Sequence, residues 1–304
     1  MKASPAQYDE SEVHDESEVH DESEVHLDST AHIMNRISSQ LASQLSLVQL
    51  DGRRRPGPPA LVVVAHGSRD PRALSTVRTL LDRVREQRPG LPVHLGHIEL
   101  NEPLLTDTLA DLDAQGTTDA VLVPLLLARG YHVKRDIPEM AAKARVHTRV
   151  AAPLGPHPFL VETLYTRLVE AGWRTDLTQE ERRTSAVVLA AAGSRDPDSA
   201  LDTRRTARLL ARRLGVPVVP AYASTATPTV PTAVRALAAR GRDRVAVASY
   251  FTAPGRFATE SAQAAPWIAS APLGTHPAMA SLLLHRYDQA WATPASTAPE
   301  LASA

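Results

Sequence analysis

The chain is written twice, and that repetition constrains its fold more than any other feature. VVVAHGSRDP at 62–71 returns as VLAAAGSRDP at 188–197, and LPVHLGHIELNEPLL at 91–105 returns as VPVVPAYASTATPTV at 216–230. AVLVPLLLARGYH at 120–132 matches RVAVASYFTAPGRF at 244–257, and APLGPHP at 152–158 matches APLGTHP at 271–277. A period of about 120–126 residues is far longer than a solenoid unit, so the repeat is a duplicated domain.

Within each copy the pattern alternates between short apolar runs and helix-period segments. In the first copy LVVVAHG (61–67), LPVHLGHIEL (91–100), AVLVPLLL (120–127) and RVAAPLG (149–155) read as strands. Segments 71–87, 104–115, 136–145 and 158–172 read as helices, the first with Asp70 as N-cap and Pro71 at its opening position. Strands that are apolar without period-two alternation, separated by helices, specify a parallel sheet covered on both faces. The expected class is therefore α/β, with two tandem similar domains at 60–174 and 184–293.

The flanks differ. Residues 9–26 are DESEVH three times over, with three carboxylates, one histidine and a single valine per unit. Such a segment buries too little to offset its ordering entropy, so residues 1–30 are expected to be disordered. They form either a solvated acidic tail or a flexible metal-collecting one, since imidazole and carboxylate both bind divalent ions. Ile33, Ile37, Leu41, Leu45 and Val48 recur at helical spacing, so 31–59 reads as an amphipathic helix and a Pro/Gly/Arg linker. Residues 294–304 read as a disordered tail.

The formal net charge of −1 argues against a general nucleic-acid binder. The absence of cysteine removes disulfides, thiolate metal sites and cysteine nucleophiles together. No apolar run approaches a membrane span and the start is acidic, so a cytoplasmic protein without membrane association is expected.

Superposing the copies shows which reactive groups stand in one only. His66 pairs with Ala192, Glu99 with Ser224, Glu102 with Thr227, His132 with Phe257 and Asp136 with Ser261. Gly67/Gly193, Gly130/Gly255, Ser68/Ser194 and Arg69/Arg195 stand in both. Ligands of parallel α/β sheets sit beyond the carboxyl ends of the strands. That is where His66, Glu99 and His132 fall, after the first, second and third strands. Two imidazoles and a carboxylate on one rim form an open site for a divalent metal with nitrogen and oxygen ligands. His157 and His276, present in both copies, read as turn structure. Ser68 and Arg69 read either as turn and capping groups or as an anion site at a helix start.

HGSRDP after the first strand, Glu99 after the second and LLLARGYHVKRDIP at 125–138 after the third together resemble the class II tetrapyrrole chelatases. More narrowly they are similar to the sirohydrochlorin chelatases of siroheme and cobalamin synthesis, which insert ferrous iron or cobalt. The resemblance covers nearly all of 60–293. It implies His66 and His132 as the metal-binding and catalytic pair, Glu99 in the same pocket, and no organic cofactor, the divalent metal being a substrate. It implies a carboxylate-rimmed tetrapyrrole as the other substrate. Ser68, Arg69, Arg129, Gly130 and Tyr131 are then candidates for binding it, with Arg129, Lys134, Arg135 and Arg69 placed to meet its carboxylates. The second copy departs from the motif at every one of the reactive positions. A metal-delivery protein and a tetrapyrrole carrier, both without turnover, are the competing readings. Two fused copies fit a monomer with pseudo-dimeric domains, or a homo-oligomer.

Overall fold

The computed structural model describes residues 57–293. The DESEVH repeats, the proposed amphipathic helix and the C-terminal tail lie outside the described residues. The first half runs β1 (Ala60–Ala65), α1 (Pro71–Gln87), β2 (Val93–His97), α2 (Leu105–Ala114), β3 (Asp119–Pro124), a π-helical turn (His132–Asp136), α3 (Ile137–Ala142), β4 (His147–Val150) and α4 (Pro158–Glu170). A short α5 (Gln179–Thr184) leads into β5 (Ser185–Ala191), α6 (Pro197–Leu214), β6 (Val218–Tyr222), α7 (Val230–Ala238), β7 (Arg244–Ser249), α8 (Arg256–Gln263), β8 (Ile268–Ala269) and α9 (Pro277–Ala292).

Each half holds a four-stranded parallel sheet, ordered β2-β1-β3-β4 and β6-β5-β7-β8. The central strands are buried on both faces. Leu61, Val63, Val121 and Val123 face one core while Val62, Val64, Ala120 and Leu122 face another. This accounts for the unbroken apolar runs in the sequence.

Three layers of helix sandwich the two sheets. α2 and α3 cover the outer face of the first sheet, and α7 and α8 that of the second. Between the sheets lie α1, α4, α6 and α9, sharing one continuous core built from both halves. The closing helices are exchanged across this layer. α4, from the first half, packs on α6 and β7, while α9, from the second half, packs on α1, β3 and β4. Leu160, Leu164 and Leu168 of α4 and Met279, Leu282 and Leu283 of α9 are fully buried there. Each half thus completes the other.

Several elements depart from their expected bounds. The fourth strand starts two residues before RVAAPLG, at His147, and ends within it at Val150. The helix expected from Asp136 begins earlier as the π-turn from His132. α5 is a further helix beyond those expected, opened by a capping box of Thr178 and Glu181. Among the described residues no helix is long and apolar enough to cross a membrane.

Candidate metal and substrate site

The two histidine-bearing loops of the first half converge beyond β1 and β3. His66 follows the last residue of β1, which pairs with β2 on one side and β3 on the other. The turn after it needs glycine. Gly67 has φ +104°, and a Cβ there would run into the carbonyl oxygen of Glu99. That close approach stitches the first loop to the second, with the Glu99 N–H donating to the His66 carbonyl at 3.0 Å. The same stitch, Ser224 N–H to Ala192 carbonyl at 2.9 Å, stands in the second half without the reactive side chains.

The structure brings His66, His132 and Glu99 together. The two imidazoles meet edge to face, with ring centroids 4.7 Å apart. Glu99 Oε1 lies 3.6 Å from His66 Nε2, beside the ring but beyond hydrogen-bond reach. The side chains of all three remain partly exposed. Among the described residues no group of three or more histidine, aspartate or glutamate side chains forms a metal-holding cluster. The rim offers a histidine pair with one carboxylate alongside, rather than a closed cage.

Asp136 acts differently from a helix cap. It makes no capping hydrogen bond, and its Oδ2 instead accepts from His132 Nδ1 at 2.5 Å. A carboxylate can only accept here, so Nδ1 is the donor, and a neutral ring held this way presents Nε2 as its lone-pair nitrogen, the arrangement that orients a ligating imidazole. The π-turn sets this i, i+4 pair at the mouth of α3. The corresponding stretch of the second half is plain α-helix.

Two expected substrate contacts are engaged elsewhere. Arg129, expected to meet substrate carboxylates, is gripped by Asp202: its Nε and Nη2 donate to the two carboxylate oxygens at 2.9 and 2.7 Å. That hydrogen-bonded pairing raises the Arg129 pKa further above its ordinary value. Burial pushes the Asp202 carboxyl up, but the hydrogen bonds from Arg129 outweigh it and hold the acid below the usual range. Lys134 likewise lies 2.7 Å from Asp196 and 2.9 Å from Asp198. Ser68 Oγ accepts from the Asp70 N–H at 3.1 Å, and Ser194 does the same for Asp196, so this hydroxyl serves the turn in both halves.

Arg69 and Arg135 are exposed and have no ion pair among the described residues. Gly130 lies beside the Ser194 hydroxyl, and Tyr131 is 64% exposed with its ring next to His132.

His157 and His276 cap α4 and α9, their Nδ1 atoms accepting from the Phe159 and Ala278 N–H groups. Sequence reasoning missed Leu100 and Leu104, exposed apolar residues in the Glu99 loop. The signal was present, since threonines 225 and 229 stand opposite them in the other copy. It also missed Asn101, whose Oδ1 accepts from the Ser68 N–H at 2.7 Å and fastens the two loops.

The family model described as CbiX matches residues 60–171 and again 186–290. A sirohydrochlorin cobaltochelatase of Priestia megaterium is 27% identical over 207 residues, 64% of this chain and 65% of that protein. A sirohydrochlorin ferrochelatase of Bacillus subtilis is 29% identical over 175 residues, 56% of this chain and 64% of that protein. This chain therefore spans just under two thirds of each of these relatives. A structure of SirB from Bacillus subtilis with Fe3+ shares the fold, with a TM-score of 0.63 at 24% identity over 77% of this chain and 96% of that one.

Proposed function

This chain belongs to the CbiX family, and from that premise we propose that it is a sirohydrochlorin chelatase, inserting cobalt or ferrous iron into the macrocycle. The observation that carries the proposal is the meeting of His66 and His132 beside Glu99 on one strand-end rim, at positions where the second half has Ala192, Phe257 and Ser224.

The chemistry asks for two things. The ion must be stripped of water and handed to four ring nitrogens, and two pyrrolic protons must leave. His66 and His132 hold the metal over the ring face, with the Nε2 of His132 directed by its Nδ1–H bond to Asp136. A neutral imidazole either holds a divalent ion or accepts a proton near neutral pH, so the pair suits both tasks in turn. Glu99, close to His66, balances the metal's charge and takes up a released proton. Leu100, Leu104 and Tyr131 present apolar surface to a flat ring. Arg69 and Arg135, which have no acidic partner among the described residues, meet its carboxylates. Gly130 leaves room for the ring edge beside His132.

The test is a metal-by-substrate assay of the full chain, following the visible spectrum of sirohydrochlorin with cobaltous or anaerobic ferrous ion. Multiple turnovers above the uncatalysed rate are expected with at least one metal. Binding that stops at one equivalent, with no product release, would make the protein a carrier instead.

A further inference from the structure

We propose that the second half takes part in the reaction by holding the His132 segment in place, with Asp202 as the principal positioning residue. The proposal rests on the chelatase reading above and gives the half without site histidines a task in it.

Residues 127–134 are fastened to the second half at three points. The Tyr250 hydroxyl, deeply buried, donates to the Leu127 carbonyl at 3.1 Å. Asp202, 1% exposed, accepts from the Arg129 backbone N–H at 3.1 Å as well as from its guanidinium, and Asp198 lies 3.4 Å from the same guanidinium. Lys134 is held between Asp196 and Asp198. His132 lies between these anchors, three residues after Arg129 and two before Lys134. The Lys134 N–H donates to the Gly130 carbonyl at 2.9 Å, a turn that encloses His132, and the π-turn then closes through the Ile137 N–H to the His132 carbonyl. A buried carboxylate that binds main chain and side chain of one residue fixes that residue's position and orientation, not merely its charge.

The contact is built in one direction only. In the repeat register Asp202 and Asp198 of the second copy stand where the first has Thr76 and Arg72, and Arg129 and Lys134 of the first stand where the second has Pro254 and Thr259. Tyr250 stands opposite Leu125. The acids are thus in the half without the site histidines, and the bases flank a histidine in the half that has them. General adhesion between halves does not require this placement. Another cross-half ion pair, Arg88 with Asp288 at 2.6 and 2.7 Å, joins α1 to α9 at the far end of α1 from the rim. It provides an internal comparison.

The experiment measures cobalt insertion by the full-length chain in Asp202→Asn, Arg129→Gln, their double variant, Asp202→Glu and Arg88→Gln, with thermal midpoints taken alongside. Asp202→Asn and Arg129→Gln should each lower kcat at least tenfold. The double variant should be no slower than the slower single, Asp202→Glu should recover part of the loss, and Arg88→Gln should stay within twofold of wild type. If Arg88→Gln loses as much activity as Asp202→Asn for a similar fall in midpoint, the acids are only adhesive and the proposal is overturned. Should Asp202→Asn fail to fold, Lys134→Gln, a change at a half-exposed position, replaces it. A threefold or greater fall in kcat supports positioning and an unchanged kcat overturns it. If the wild type itself shows no insertion, the chelatase reading fails separately. Positioning is then read from the part of Co2+ binding that His66→Ala removes: Asp202→Asn must weaken it tenfold, and unchanged affinity overturns the proposal.

Discussion

The imidazoles of His66 and His132, 66 residues apart in the chain, meet at right angles with their centroids 4.7 Å apart. Of the two, only His132 has a carboxylate within hydrogen-bond reach of a ring nitrogen, Asp136 Oδ2 lying 2.5 Å from its Nδ1. Asp136→Asn keeps the shape and leaves the ring free to turn or change tautomer. Losing such an orienting partner costs about 10–100-fold in metal affinity or activity. The measurement is cobalt insertion at limiting and saturating Co2+, with the loss expected mainly at limiting metal.

Gly67→Ala should damage both fold and site. The new methyl meets the Glu99 carbonyl, and the positive φ is one that side-chain-bearing residues avoid. Backbone strain alone is worth about 1–3 kcal/mol, and moving Glu99 away from His66 should slow insertion as well. Denaturant unfolding and the insertion rate, measured on the same preparation, check the two effects together.

Separating the halves should unfold them. A fragment of residues 58–175 would carry α4 without α6 and β7, and would leave β3 and β4 uncovered by α9. Circular dichroism and dye binding should report a loosely packed chain with exposed apolar surface. Cooperative unfolding of that fragment at the midpoint of the whole protein would show that the exchanged helices are dispensable.

Acid should weaken the fold partly through the α4 cap. Burial, aided by Arg286 and His285, lowers the His157 imidazole from its ordinary 6.5 to about 4. Between those values the unfolded chain takes up a proton that the folded chain refuses. The His157 contribution is therefore whole above pH 6.5 and is lost as pH falls towards 4. His276 is shifted in the same direction, again chiefly by burial. Asparagine caps without titrating, so His157→Asn should flatten the fall in stability between pH 6.5 and 4, read from thermal midpoints across that range.

Much of this was legible because it is local or symmetric. The Asp70–Pro71 start of α1 appears as expected, with the Asp70 carboxylate accepting from the Arg72 N–H. The rim could be placed because a parallel sheet brings strand ends together, and His66, Glu99 and His132 each follow a strand of the same sheet. What stayed hidden depends on distance or on subtle backbone geometry. The apolar stripe of α4 is the same whichever sheet it covers, so the helix exchange leaves no mark on it. A histidine and an aspartate four apart read as ordinary helix, and nothing in GYHVKRD shows a π-turn. Arg129 looked available because its partner, Asp202, lies 73 residues away.

The most direct test of the account is the initial rate of cobalt or iron insertion into sirohydrochlorin by His66→Ala, beside wild type and an enzyme-free control. The second half has Ala192 and Phe257 where the first has its two histidines, so it has no imidazole at those positions to substitute. The rate should fall to the uncatalysed background while the protein stays folded. A folded His66→Ala protein working within tenfold of wild type would contradict the assignment of the site to the first half.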